Sequence, residues 1–331
     1  MTILLAFVLI AALLIAAYFL FPDRTAALIV AAGRAAARLR ARSIAIPGLR
    51  IAYLEGGKGE PLVLLHGIGA DKDNWTFVSL FLSRRYRVIA WDAPGFGESS
   101  RPDGVGYGVE AQVERLHAFL QALGIRRAHF GGNSMGGLIA SHYALRFPEE
   151  VDSLWLLNTA YVASAKPSDG FVRIERGERI PLFASTEAEF ADVIRFVMER
   201  PPFIPSAIKR FLAARQIASY ALNVQIFDEL RASIVPLEDA VKGLMTPTLI
   251  VWGDCDRVFD CSSADILHKV MPRSRVIVMT GIGHVPMIEA PYAVARDYIA
   301  FRRELAQEGA LQPTSRSTPS PASPAQLSST K

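Results

Sequence analysis

Ala128-His129-Phe130-Gly131-Gly132-Asn133-Ser134-Met135-Gly136-Gly137 decides the fold. An apolar, strand-like run enters a turn of small residues, and Leu138-Ile139-Ala140 continues as a helix toward Arg146-Phe147-Pro148. Gly132-Asn133-Ser134-Met135-Gly136 fits the spacing Gly-x-Ser-x-Gly, in which a serine at the tip of a strained strand-to-helix turn projects its hydroxyl into a cleft. The flanking glycines allow close backbone approach, and the following helix aims its first amides at any oxyanion that forms. A glycine-rich turn without chemistry would share the five-residue pattern. The strand before it and the helix after it favour a nucleophile.

Working outward, buried strands are expected on both sides. Pro61-Leu-Val-Leu-Leu65 is one, and His66-Gly67-Ile68-Gly69 follows it directly. A glycine-rich turn at the carboxyl end of a buried strand lets a backbone amide face a reaction centre. The amides of Ile68 and Met135 are the expected oxyanion-hole pair. His66 is expected to brace its loop rather than act as a base. Val88-Ile-Ala-Trp91 is another strand, and Asp92, which precedes the serine in the chain, is assigned a structural role in the tight loop after it. Val109 to Leu123 is helical with Gly124 as its stop, and Val151 to Asn158 is a strand.

From about 160 to 244 the strand signal lapses. Helical patterns and prolines fill this stretch, which is too long for a loop and is expected to form a helical cap. Its aromatics Phe183, Phe190, Phe196 and Phe203 are expected to be mostly the cap's own core, with some lining an apolar tunnel. The sheet resumes at Pro247-Thr-Leu-Ile-Val-Trp252 and ends at Arg275-Val-Ile-Val-Met279, followed by Gly283-His284. Ser134 then attacks, His284 takes its proton, and a carboxylate orients the imidazole. Asp256, three residues past Trp252-Gly253, fits that place better than Asp254, Asp260 or Glu289. His117, His129, His142 and His268 are expected to be structural or surface residues.

Ile3 to Phe21 is an uninterrupted apolar run of nineteen residues, about 28 Å as a helix and close to a bilayer's hydrocarbon thickness. It lacks the basic n-region of a signal peptide and exceeds the usual h-region length, so a retained single-pass anchor at residues 1–22 is expected. Tyr18, Phe19 and Phe21 suit a membrane interface. Residues 23–43 are expected to form an amphipathic juxtamembrane helix, with Arg34, Arg38 and Arg42 on one face contacting lipid phosphates. Thus residues 3–42 would meet the membrane lipids. Small residues spaced by four (Ala12/Ala16, Ala27/Ala31, Gly33/Ala37) would permit a homodimer through these N-terminal helices.

About half of the chain is apolar, which excludes wholesale disorder. The net charge of +4 is more than accounted for by Arg24, Arg34, Arg38, Arg40 and Arg42, so the remainder is close to neutral and carries no nucleic-acid footprint. Two cysteines, Cys255 and Cys261, cannot make a disulfide framework or a four-ligand zinc site. The motif scan supports neither nucleotide nor metal binding, so no cofactor is expected. Residues 307–331, rich in Ser, Pro, Thr and Gln, are expected to be a disordered tail.

Over roughly residues 44–305 these features resemble the α/β-hydrolase superfamily: a mostly parallel central sheet, helices on both faces and a helical cap. The match rests on His66-Gly67, Gly132-Asn-Ser134-Met-Gly136-Gly, Trp252-Gly-Asp-Cys-Asp256 and Gly283-His284. Within it the chain looks most like membrane-anchored monoacylglycerol lipases and bacterial single-pass phospholipase A/lysophospholipase enzymes. The N-terminal run, His66-Gly-Ile-Gly-Ala-Asp-Lys72-Asp-Asn-Trp75 and Ile180-Pro-Leu-Phe-Ala-Ser-Thr186 carry that closer likeness. The resemblance implies hydrolysis of a fatty-acyl ester from a glycerolipid or lysophospholipid without a cofactor, and the anchor implies a place at the inner cell membrane. The arginines after the anchor place the catalytic domain in the cytoplasm by the positive-inside rule, whereas the bacterial enzymes resembled face the periplasm. Alternatives are a carboxylesterase for small esters, a carbon–carbon bond hydrolase, whose usual Ser-Gly-Pro-Gly oxyanion loop is missing here, and a catalytically dead membrane scaffold.

Overall fold

A computed structural model describes residue 5 and residues 18–102, 104–233 and 235–311. Eight strands form one sheet in the order β1-β2-β4-β3-β5-β6-β7-β8. They are β1 (Leu39–Ile46), β2 (Leu49–Gly56), β3 (Pro61–Leu65), β4 (Arg87–Trp91), β5 (Ala128–Asn133), β6 (Val151–Leu157), β7 (Thr248–Gly253) and β8 (Ser274–Met279). The β1–β2 and β2–β4 pairs are antiparallel and every later pair is parallel.

Strands covered on both faces read as continuous apolar runs because each face meets helices. Val63, Leu65, Ile89, Trp91, Phe130 and Trp252 turn to one side. There they pack on helices α3 (Val109–Ala122), α4 (Met135–Arg146) and α10 (Ser262–Val270). Leu62, Leu64, Val88, Trp155 and Val251 turn to the other, toward α2 (Thr76–Leu82), the short α11 (Pro286–Glu289) and α12 (Pro291–Leu311). Trp155 stacks on Tyr298 of α12 at a centroid distance of 4.4 Å. Each such Leu or Val, fully withdrawn from water, contributes roughly 1.5–3 kcal/mol before chain entropy is set against it.

Between β6 and β7 lie α5 (Asp169–Glu175), α6 (Glu187–Val197), α7 (Ser206–Ala218), α8 (Tyr220–Ser233) and the short α9 (Leu237–Ala240). This helical insertion overlies the carboxyl ends of the parallel strands, where ligands bind in α/β sheets.

The N-terminal expectation needs correction. The helix α1 covers Pro22–Ala36 and stops short of Arg42, because Leu39–Ile46 pairs with Leu49–Gly56 as an edge strand. Arg38 sits at the break with φ of 60°. Arg34, Arg38 and Arg42 therefore do not share a helical face. Arg34 instead donates to both Asp73 oxygens at 2.6 Å, and Arg42 pairs with Glu55 at 2.9 Å. A Cβ on Gly33 would meet Thr76 Cγ2 at 3.7 Å, and Ala37 is fully buried. Ala12 and Ala16, and most of the apolar run 3–21, lie outside the described residues. Among the described residues no helix is long and apolar enough to cross a membrane. The last helix continues to Leu311, past the expected start of the tail, and residues 312–331 lie outside the described ones.

His129 on β5 is buried, with Nδ1 3.0 Å from Ser153 Oγ and Nε2 3.3 Å from Glu60. Burial, helped by Arg302, pushes its pKa down to about 4. An unfolded histidine titrates near 6.5, so between these values the unfolded chain binds more protons. The stability held by a neutral His129 is present above about pH 6.5 and lost as pH falls toward 4. In urea unfolding at pH 7.5 and 5, wild type is expected to lose about 1–2 kcal/mol more on acidification than His129→Gln. Equal losses would contradict this.

Candidate active site

Ser134 stands between β5 and α4 with φ of 54° and ψ of −120°. Holding a non-glycine residue there costs of order 1–3 kcal/mol, and the turn is over-determined by its surroundings. Ser134 N–H donates to Leu157 O at 3.1 Å, and its carbonyl accepts from Gly137 N at 3.0 Å. A Cβ on Gly136 would overlap the Leu65 carbonyl, and one on Gly132 would overlap the backbone of Gly136. Both elbow glycines are thus demanded by packing as well as by the turn.

The loop after β3 lies against this elbow. A Cβ on Gly67 would come within 3.2 Å of Ser134 Cβ. Neither Ile68 N–H nor Met135 N–H has a backbone acceptor among the described residues. These two amides, one beside the serine and one directly after it, are available to a developing negative oxygen. His66 is fully buried; its Nε2 accepts from Ala93 N at 3.0 Å and Nδ1 donates to Gly67 O at 2.7 Å. Burial lowers its pKa, so a neutral imidazole staples the loop. Asp92 accepts from Lys72 N and Nζ, each at 2.7 Å, and from Glu98 N at 2.8 Å. Its role is to fix the loops after β3 and β4.

The loop's exit is held from two further directions. Arg34 of α1 grips Asp73, and Arg215 of α7 lies 3.1 Å from Asp71. Burial, with Asp73 and Asp92 close by, pushes Asp71 up to about 6.

Asp256 and His284 come together from the loops after β7 and β8. Asp256 Oδ2 accepts from His284 Nδ1 at 2.8 Å and from Asn158 Nδ2 at 2.7 Å. Its Oδ1 accepts from the amides of Val258 at 2.8 Å and Phe259 at 3.1 Å. The carboxylate is acceptor-only, so the pairing makes Nδ1 the protonated nitrogen and leaves Nε2 free to accept a proton. Both side chains are almost wholly buried. The competing acids are occupied elsewhere: Asp254 accepts from Gly281 N, Asp260 from Ser262 N, and Glu289 from the amides of Glu199, Arg200 and Gly283.

Ser134, His284, Gly67 and Ile68 line one cavity of about 340 Å³. The insertion supplies a largely apolar part of the remaining wall, including Phe190, Val193 and Ile194 of α6 and Ile208 and Leu212 of α7, and the loops after β3 and β4 supply Asp71, Asp73 and Arg101. Among the described residues the Ser134 hydroxyl makes no hydrogen bond to the imidazole, a loose geometry common before substrate arrives.

Two supporting residues escape sequence reasoning. Asn158, with φ of 45° at the end of β6, holds Asp256, and Asn133 Nδ2 ties Leu157 O at 3.1 Å to His284 O at 2.9 Å. The signal present in the sequence is a polar amide ending each of two buried strands. The other histidines lie elsewhere: His117 stacks on Phe147, and His268 Nδ1 sits 2.9 Å from Ser274 Oγ. Cys255 and Cys261 are both free.

Residues 60–291 match the family model described as alpha/beta hydrolase fold. Lipase 3 of Moraxella sp. (strain TA144) is 39% identical over 264 residues, covering 77% of this chain and 82% of the relative. Monoacylglycerol lipase ABHD6 of Homo sapiens is 29% identical over 258 residues, covering 74% and 76%. Among solved structures, a membrane phospholipase A described as a bacterial virulence factor superposes with a TM-score of 0.84 at 42% identity, covering 92% of this chain and 99% of its own. With the strand order, the elbow and this kinship in agreement, the chain belongs to the α/β-hydrolase family.

Proposed function

We propose that the protein is a bilayer-tethered serine hydrolase that cleaves fatty-acyl esters of glycerolipids: monoacylglycerol, lysophospholipid or phospholipid. The observation that carries this reading is the His284–Asp256 pair opening onto the same apolar-walled cavity as the strained Ser134. Kinship with lipases and a phospholipase supports ester hydrolysis. Ser134 Oγ attacks the ester carbonyl while His284 Nε2 takes its proton. The tetrahedral oxyanion accepts from the amides of Ile68 and Met135, each donor lowering the barrier by about 2.7–4 kcal/mol. Collapse expels the alcohol, protonated by His284, and leaves an acyl-enzyme. Water, activated by the same imidazole, releases the fatty acid.

Tethering is supported by where the apolar run ends. The Tyr18 hydroxyl lies 2.8 Å from Ser206 Oγ and accepts from Ala207 N at 3.1 Å, at the start of α7. Phe203, just before that helix, lines the cavity and is 92% exposed. Phe19, Leu20, Phe21 and Leu28 are also exposed. An insertion working as a cap with its mouth beside the anchor would shorten the path of a water-insoluble ester.

A series of p-nitrophenyl esters from acetate to laurate tests the substrate class. Each buried methylene is worth about 0.8 kcal/mol, so kcat/KM is expected to rise about fourfold per carbon until the acyl wall is filled. A maximum at acetate would contradict a lipid substrate.

A further inference from the structure

One part of the cavity wall is polar and has no protein partners. Gln216 near the end of α7, Ser219 after it and Asn223 in the first turn of α8 all line the cavity. Their spacing of three and four residues puts them on one side of the helical run. The amide oxygens of Gln216 and Asn223 are buried without a hydrogen-bond partner. Among the described residues neither side-chain amide nitrogen, nor the Ser219 hydroxyl, has a protein partner. Asn223 is only 2% exposed.

An unpaired buried amide costs about 1–3 kcal/mol, and folded proteins leave few of them. Elsewhere around this site the amide nitrogens are spent: that of Asn133 bridges two carbonyls and that of Asn158 holds Asp256, although the Asn158 oxygen is also without a partner. The unspent groups line the same cavity as Ser134, His284 and the aliphatic side chains of α6. A primary amide offers donors and an acceptor, and a hydroxyl answers both with one proton and two lone pairs. An ammonium can answer only the acceptor, a carboxylate only the donors, and an alkyl chain neither.

We propose that Gln216, Ser219 and Asn223 form a hydroxyl-recognising subsite for the alcohol half of the ester, which selects polyol esters such as those of glycerol over simple alkyl esters of the same acid. This deepens the ester-hydrolase reading and rests on it. Discrimination of this kind is strong because an alcohol without hydroxyls leaves the buried amides unpaired in the transition state.

The test uses the full-length protein in detergent micelles with two laurate esters, 1-monolaurin and propyl laurate, which lacks the two free hydroxyls. Wild type is expected to favour monolaurin in kcat/KM, and the ratio of the two values is expected to fall at least about tenfold in Asn223→Leu and, separately, in the half-buried Gln216→Leu. Because each variant is compared with itself on two esters, a general loss of folded enzyme cancels. A wild-type ratio near one, or a ratio that neither variant moves, would overturn the subsite and point to ordered water on those amides. Wild type inert toward both esters would overturn the ester-hydrolase reading itself, and the subsite with it.

Discussion

Ser134→Ala is expected to lower kcat for a medium-chain p-nitrophenyl ester by about 10⁵–10⁶-fold while the protein still folds. The hydroxyl is the only atom removed, and the alanine Cβ occupies the same strained turn, fixed by Ser134 N–H on Leu157 O and by the close approach of Gly136 to Leu65. The oxyanion amides and the cavity remain, so a residual rate of about 10³–10⁴ over water is expected, as when a triad member alone is deleted. Initial rates at saturating ester, with a thermal melt as the folding control, check this. Activity within tenfold of wild type would mean that another group attacks.

Asp256→Asn is expected to cost about 10⁴ in kcat with little loss of fold. The reason is orientational. The Oδ1 position accepts the Val258 and Phe259 amides and so selects the oxygen of an asparagine. Its NH₂ group is then turned toward His284 Nδ1 and Asn158 Nδ2, where two acceptors are required. The imidazole must give up its Nδ1 proton to accept from that amide, which moves the proton to Nε2 and removes the base. Steady-state rates on a short soluble ester read the effect. A drop below tenfold would reassign the orienting carboxylate.

The architecture was legible where chemistry and packing make the same demand. Strands β3, β5 and β7 announce themselves as apolar runs because both faces are covered, and each gives way at its carboxyl end to a short turn of polar and small residues. Asp256, preferred to Asp254 for its distance past the strand end, is the one that pairs with His284 Nδ1. The arginines from Arg34 to Arg42 misled for a physical reason. Alanine-rich sequence with a charge every fourth residue has helical propensity, yet pairing with β2 overrides it from Leu39 onward. The partner of Arg34 is Asp73, far along the chain, and nothing local to either residue announces it. Asn158 was hidden similarly, since its value lies in Asp256, which only the closed sheet brings within 2.7 Å. Glu289, weighed as a triad acid, instead gathers the Glu199, Arg200 and Gly283 amides and so holds the insertion to the loop that carries His284.

The central claim is that Ser134 is an activated nucleophile. Treating the folded protein with a fluorophosphonate and mapping the adduct by peptide mass spectrometry tests it most directly. The account predicts one phosphonyl group, on the peptide that carries Ser134, with labelling abolished in Ser134→Ala and strongly slowed in His284→Ala. An unlabelled wild-type protein, or an adduct on another residue that survives Ser134→Ala, would contradict it.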